Sequence, residues 1–223
     1  MNNTSGISVV AFDLDGLMFD TERLHRRCAD ILLKRRGYTF TSDLNQTVMG
    51  RTPRENLALF KEHFSLPNTL DELVEETIET TLGLISQGYA TMPGLLKLFD
   101  FLDERKIPRC VCTSGLSVIA HEFLKQERVG ERVDFVITSD DVVHGKPDPE
   151  IYLKAIKRFG VAPKEMLALE DSAVGLTSAK DAGALCCAVR AEHNKDVDFS
   201  KADLVVESLD APKLLALITK GET

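Results

Sequence analysis

Six short apolar runs, most of them followed by a stretch of helical periodicity, constrain this chain more than anything else in it. They are Ile7–Phe12, Arg109–Thr113, Val133–Thr138, Met166–Glu170, Ala184–Val189 and Asp203–Val206. Runs that stay apolar instead of alternating suit strands buried on both faces, the habit of parallel sheets flanked by helices. Between them, Gly94–Lys106 places Leu95, Leu98, Phe99 and Leu102 at i, i+3, i+4 and i+7. Asp148-Pro149-Glu150 predicts a helix start with a cap and a first-turn proline. Tyr152, Ala155, Ile156 and Phe159 line that helix and Gly160 closes it. Ser172–Ala182 is a third helix, stopped by Gly183. The predicted class is α/β, a Rossmann-like parallel sheet covered on both faces. In such sheets ligands bind beyond the carboxyl ends of the strands.

One region breaks the alternation. Between Thr21 and Tyr89 the periodicity is helical throughout, with Leu24, Cys28, Ile31 and Leu32 on one face of Thr21–Arg36 and further helices over Pro53–Phe64 and Leu70–Ser86. The expected division is an α/β core from 1–20 and 91–223, with 21–90 inserted as a helical unit. That unit leaves directly after the first strand and returns at Met92-Pro93-Gly94, so it is placed to cover the strand ends and close over them.

The first strand ends in Asp13-Leu14-Asp15-Gly16. Alternation along a strand sends Asp13 and Asp15 to the same side. Two buried carboxylates cannot both stay charged without a cation or added donors, and a hard divalent ion with oxygen ligands is the usual remedy. A calcium loop fits poorly, because Gly16 is fourth from Asp13 instead of sixth and Leu24 stands where the twelfth-position glutamate belongs.

Three other strand ends carry groups suited to phosphate. Cys112-Thr113-Ser114-Gly115 offers hydroxyls and backbone N–H groups at a helix start, although it could equally be a cap. Gly145-Lys146-Pro147 pins a lysine between two backbone constraints, where its ammonium can offset charge. Glu170-Asp171 is a second acidic pair after an apolar run.

A formal charge of −8 argues against nucleic acid or an anionic membrane as the main partner, so an anionic substrate has to be drawn in by local cations. Neither a membrane-length apolar run nor a signal pattern is present, and a cytoplasmic location is expected. The five cysteines form no CxxC pair or zinc-spaced cluster and read as core packing.

Taken in order, Asp13-Leu14-Asp15-Gly16, Thr113, Lys146 and Glu170-Asp171 resemble the haloacid dehalogenase superfamily of phosphotransferases. The strings from Asp15 to Glu22 and from Gly145 to Glu150 are especially specific to it. The inserted helices look like the small α-helical cap of its β-phosphoglucomutase-like and phosphoglycolate-phosphatase-like branch. The resemblance implies a mechanism. Asp13 attacks phosphorus and forms an aspartyl-phosphate; Asp15 protonates the leaving oxygen and later deprotonates water. It implies further that Thr113, with Ser114 and Gly115, binds the phosphoryl group and that Lys146 neutralises charge. By the same resemblance, Mg²⁺ would be held by Asp13, the backbone carbonyl of Asp15 and Asp171, with Glu170 ligating it or holding a bound water.

Dehalogenating and phosphonate-cleaving members lack the second aspartate, so Asp15 favours phosphate monoesters. A sugar phosphate mutase needs cap cations for a distal phosphate, yet Glu62 to Leu96 contains no Lys or Arg, and Thr81 falls about where the mutase has a lysine. His25, Arg51 and Arg54 are the residues that keep a mutase open. The expected activity is a Mg²⁺-dependent phosphatase of small phosphorylated metabolites, with a monomer or weak dimer as its form and a dead phosphometabolite-binding version as the remaining alternative.

Overall fold

Strand β1, Val9–Phe12, is buried at every position, and its alternate residues enter two different cores. Val10 and Phe12 join one cluster with Val111, Leu167 and Leu169; Val9 and Ala11 join the other with Cys110, Cys112 and Ala168. This two-sided burial is why the run is apolar without alternation. The computed structural model describes residues 6–220 except 42, 45, 46 and 48–51, and omits the side chains of 126–128.

All six expected strands form. β2 (Arg109–Cys112), β3 (Phe135–Ile137), β4 (Met166–Glu170), β5 (Leu185–Val189) and β6 (Leu204–Val206) join β1 in one parallel sheet of order β3-β2-β1-β4-β5-β6. The chain winds outward from β1 through β2 and β3, then crosses back to β4 on the other side. This reversal opens a crevice at the carboxyl end of β1. Register completes the arrangement, since Phe12 pairs with both Val111 and Leu169 and so brings Asp13, Cys112 and Glu170 to one level.

Helices α1 (Glu22–Lys34), α2 (Pro53–His63) and α3 (Leu70–Ile85) follow β1. Thr52 and Thr69 each form a capping box, with Glu55 and Glu72 three residues on, and Pro53 opens α2. These helices pack through Cys28, Leu32, Leu57, Phe60 and Leu73. The chain leaves and re-enters the core side by side: Asp20 N–H donates to Ala90 O (3.0 Å) and Met92 N–H to Met18 O (2.9 Å). Phe19, Tyr89 and Phe123 pack ring against ring at this neck, with centroids 4.6–5.5 Å apart.

Further α-helices are α4 (Leu95–Glu104), α5 (Ser117–Lys125), α6 (Glu150–Phe159), α7 (Ala173–Asp181) and α8 (Pro212–Ile218). α6 and α7 lie against one face of the sheet; α4, α5 and α8 lie against the other. Helices α5 and α8 are not among the periodic stretches singled out in the sequence. At α6 the proline sits one place earlier than expected. Pro149 occupies the cap position, and the Asp148 carboxylate accepts the Glu150 N–H at 2.9 Å. Gly160 closes the helix with φ 70°, as its position predicts. All five cysteines are buried and free. Among the described residues no helix is long and apolar enough to cross a membrane.

Candidate active site

Asp13 leaves the end of β1 as its N–H donates to Leu169 O at 3.0 Å, which fixes it against the end of β4. Lys146 comes from the loop before α6 and spends all three of its protons at one point. Nζ donates to Asp13 Oδ1 (2.6 Å), Glu170 Oε1 (2.6 Å) and the carbonyl of Cys112 (2.8 Å). The ammonium thus ties together β1, β2 and β4. Tyr152 on α6 donates its hydroxyl to the same Glu170 oxygen at 2.5 Å, and its ring lies 5.2 Å from the ammonium. In sequence Tyr152 reads only as part of the apolar stripe of α6, because a tyrosine ring fills a core as well as a leucine does.

Asp13, Glu170 and Asp171 are all buried and can bring oxygens within 4.8 Å of one another. Burial, joined by repulsion from Glu170, Asp171 and Asp15, pushes Asp13 well above the ordinary carboxylate range, although Lys146 opposes it. Asp171 is pushed up to about 6 by burial and by Glu170, against the pull of His193 and Lys146. Burial would depress Lys146, but Asp13 and Glu170 outweigh it and keep the ammonium charged. One lysine cannot neutralise three carboxylates. An all-oxygen, electron-rich cluster of this kind fits a hard divalent cation.

Asp15 stands apart from that cluster. Its Oδ2 accepts from Thr113 Oγ1 at 3.3 Å, and its Oδ1 lies 3.3 Å from His25 Nε2. Its side chain is 31% exposed, against 10% for Asp13, so it faces the cavity while Asp13 backs onto the lysine. Thr113 is fully buried. Gly115 departs from expectation: its N–H already donates to Thr113 Oγ1 at 2.9 Å, and Ser117 N–H to Asp140 at 3.0 Å. Gly115 therefore contributes close approach instead of an open donor, and both it and Ser114 line the cavity.

A cavity of about 270 Å³ runs from Asp13, Asp15, Thr113, Lys146 and Asp171 up between α1 and α2. Its upper wall is Leu32, Phe40, Leu57 and Phe60, together with Thr77 and Thr81. His25 and Arg26 also line it. Arg54 does not. It is exposed and pairs at 2.7 Å with Asp71, a carboxylate in the first turn of the neighbouring α3 that holds it at the surface. Arg51 lies outside the described residues.

Sequence reasoning missed Gly175. A Cβ there would stand 1.9–2.1 Å from the Glu170 carboxylate, which folds back over the start of α7. Gly175→Ala is expected to destabilise the protein by roughly 2 kcal/mol net, the collision with an immobile buried side chain outweighing about 1 kcal/mol of helix propensity. Chemical denaturation measures this, and an unchanged midpoint would contradict the crowding.

The buried acid cluster and its lysine thus lie at the switch point of a doubly wound α/β fold, the crevice where such folds bind ligands. The haloacid dehalogenase-like hydrolase family matches residues 7–183. A phosphorylated carbohydrates phosphatase of Thermotoga maritima is 30% identical over 79% of this chain and 82% of its own. (DL)-glycerol-3-phosphatase 2 of Arabidopsis thaliana is 34% identical, covering 79% and 77%. The crystal structure of CbbY from Rhodobacter sphaeroides in complex with phosphate superposes with a TM-score of 0.85 at 26% identity, covering 92% and 95%. The chain belongs to the haloacid dehalogenase-like hydrolase family. Its activity is that of a phosphoric monoester hydrolase.

Proposed function

We propose that the protein is a Mg²⁺-dependent phosphatase of small phosphorylated metabolites that works through an aspartyl-phosphate on Asp13. The observation that carries this is the convergence of Lys146 on Asp13 and Glu170, beside Asp171, at the floor of the cavity. With Oδ1 occupied by the lysine, Oδ2 of Asp13 is the oxygen left to attack phosphorus. As that bond forms, the bond to the leaving oxygen breaks and Asp15 supplies the proton. Asp15 then takes a proton from water as its oxygen attacks phosphorus, and phosphate leaves Asp13 free again. Thr113, held between the Gly115 N–H and Asp15, keeps the acid–base carboxylate aimed at the cavity. Lys146 offsets charge on the nucleophile and on the transferring group.

Asp13, Asp171 and the Asp15 carbonyl would hold the cation, with Glu170 acting through a bound water, since its Oε1 already accepts from Lys146 and Tyr152 and its Oε2 from Ser172 at 3.2 Å. When bound, the ion neutralises the carboxylates and polarises phosphoryl oxygens. The helices of 21–90 act as the cap that closes on the substrate.

Phosphatase is favoured over mutase because Arg54 turns outward and Thr81 gives its hydroxyl to Cys28 Sγ (3.4 Å), leaving no cap lysine at that place. Incubation of a sugar 1-phosphate with Mg²⁺ and a trace of the bisphosphate decides between them. Release of inorganic phosphate is expected; an isomerised sugar phosphate with little free phosphate would overturn the choice.

Removal of the metal has a signature in stability. A carboxylate whose folded pKa is raised, as for Asp171 at about 6, binds protons more readily folded than unfolded. Its contribution is therefore favourable at about pH 4 and lost as pH rises through about 6, amounting to roughly 2–3 kcal/mol. In EDTA, wild-type protein should lose more melting temperature between pH 5 and 7.5 than Asp171→Asn does, and saturating Mg²⁺ should close the gap. Equal slopes for both proteins would remove the cluster's strain from the account.

A further inference from the structure

The loop after β5 reaches into the acid cluster from a direction no recognised motif covers. His193 Nε2 lies 2.7 Å from Asp171 Oδ2. The loop that carries it is fixed independently of that contact. Arg190 donates to the carbonyls of Asn194 (3.3 Å), Lys195 (2.6 Å) and Val197 (3.2 Å), with its guanidinium 4.8 Å from the centre of the Phe199 ring. Buried Asn194 donates from Nδ2 to the carbonyls of Asp171 (2.9 Å) and Val189 (3.0 Å), and its Oδ1 accepts the Ala191 N–H at 2.7 Å. Among the described residues, the side chain of His193 makes no hydrogen bond except the one to Asp171.

Gly16 closes the third side. It has φ 72°, and a Cβ there would stand 2.2 Å from Asp171 Oδ2 and 2.9 Å from His193 Nε2. The glycine of the first motif is thus the space in which the histidine–aspartate pair meets. An ionised carboxylate only accepts, so Nε2 is the donor in this pair.

We propose that His193 is a positioning residue, whose Nε2–H holds Oδ2 of Asp171 and so reserves Oδ1 for the metal ion. This rests on the reading of Asp171 as a metal ligand. Mg²⁺ demands near-octahedral geometry and is usually bound through one or two carboxylates, with waters and phosphate oxygens completing its shell. A carboxylate with one oxygen pinned cannot chelate with both or swing away, and outer hydrogen bonds of this kind tune metal affinity. A purely structural histidine would instead hold its own loop, and Arg190 and Asn194 already do that.

Mg²⁺ binding is to be measured by calorimetry on the substrate-free protein, for wild type, His193→Leu, His193→Gln and Asp171→Asn. His193→Leu should weaken binding by about 10- to 100-fold, and the Mg²⁺ concentration giving half-maximal rate should rise in proportion. His193→Gln, which keeps an N–H at nearly the same reach, should recover affinity to within about threefold. Wild-type affinity in His193→Leu, or an equal loss in His193→Gln, would overturn the proposal while leaving the phosphatase reading intact. If Asp171→Asn also binds Mg²⁺ as wild type does, then Asp171 is no ligand and the metal site itself is wrong.

Discussion

On the proposed mechanism, Asp13→Ala should lose turnover on p-nitrophenyl phosphate by on the order of 10⁴-fold or more, because the covalent intermediate is placed on its carboxylate. The fold should survive. Asp13 is a buried carboxylate crowded by Glu170 and Asp171, and burial already works against its charge. Removing it relieves repulsion, and Lys146 keeps its bonds to Glu170 and Cys112. The metal-free melting temperature of Asp13→Asn should therefore equal or exceed that of wild type, even as its activity vanishes. The pairing of the two readouts is decisive. Activity above a tenth of normal would end the nucleophilic role, and collapse of the fold would mean that the carboxylate stabilises the core.

Lys146→Met should damage both stability and rate. The substitution keeps the length of the side chain but leaves Asp13 and Glu170 facing each other in a nearly sealed site, where the lysine side chain is 2% exposed and that of Glu170 is 0%. Breaking a buried ion pair from one side costs roughly 3–5 kcal/mol, because the remaining charge is uncompensated. For a chain of this size that is a fall of roughly 6–20 °C in melting temperature. Loss of the charge-neutralising group should lower kcat by about 10²- to 10³-fold. Acid should lessen the stability deficit, since the pKa of Asp13 is raised and protonation below it discharges the cluster. Calorimetric scans of wild type and Lys146→Met at pH 5 and pH 7.5 test this. A melting temperature within about 2 °C of wild type at both would show that the ammonium does not hold the cluster together.

Much of the site was legible because each group stands at a strand end. Asp13, Thr113 and Glu170-Asp171 follow apolar runs directly, so recognising the strands also locates the chemistry. Lys146 was visible by its neighbours, between Gly145 and Pro147. The residues that support them were not. Tyr152 falls on a helix face that reads as core, and it is core, yet its hydroxyl reaches Glu170. Gly175 looks like an ordinary helix glycine until the carboxylate lying over it is seen. His193 and Asn194 sit in a polar turn whose only sequence signal is its place after the fifth strand, at the end of the sheet where ligands bind. The inserted helices were harder still. Arg54 pairs with Asp71 seventeen positions away and so faces outward, which depends on how two helices pack and not on either one alone.

What the sequence determined by itself was local: six strands from two-sided apolar runs, helices from periodicity and capping boxes, and carboxylates at the strand ends. These follow from forces acting within a few residues of each other. What only the tertiary structure decided was which oxygen meets which donor. Strand order and register carry Asp13 within 2.6 Å of a lysine 133 positions away, and Asp171 within 2.7 Å of a histidine 22 positions on. Those distances depend on how helices and loops close across the sheet, and at hydrogen-bond range a shift of a single ångström decides whether a carboxylate is held, shared or left facing a metal.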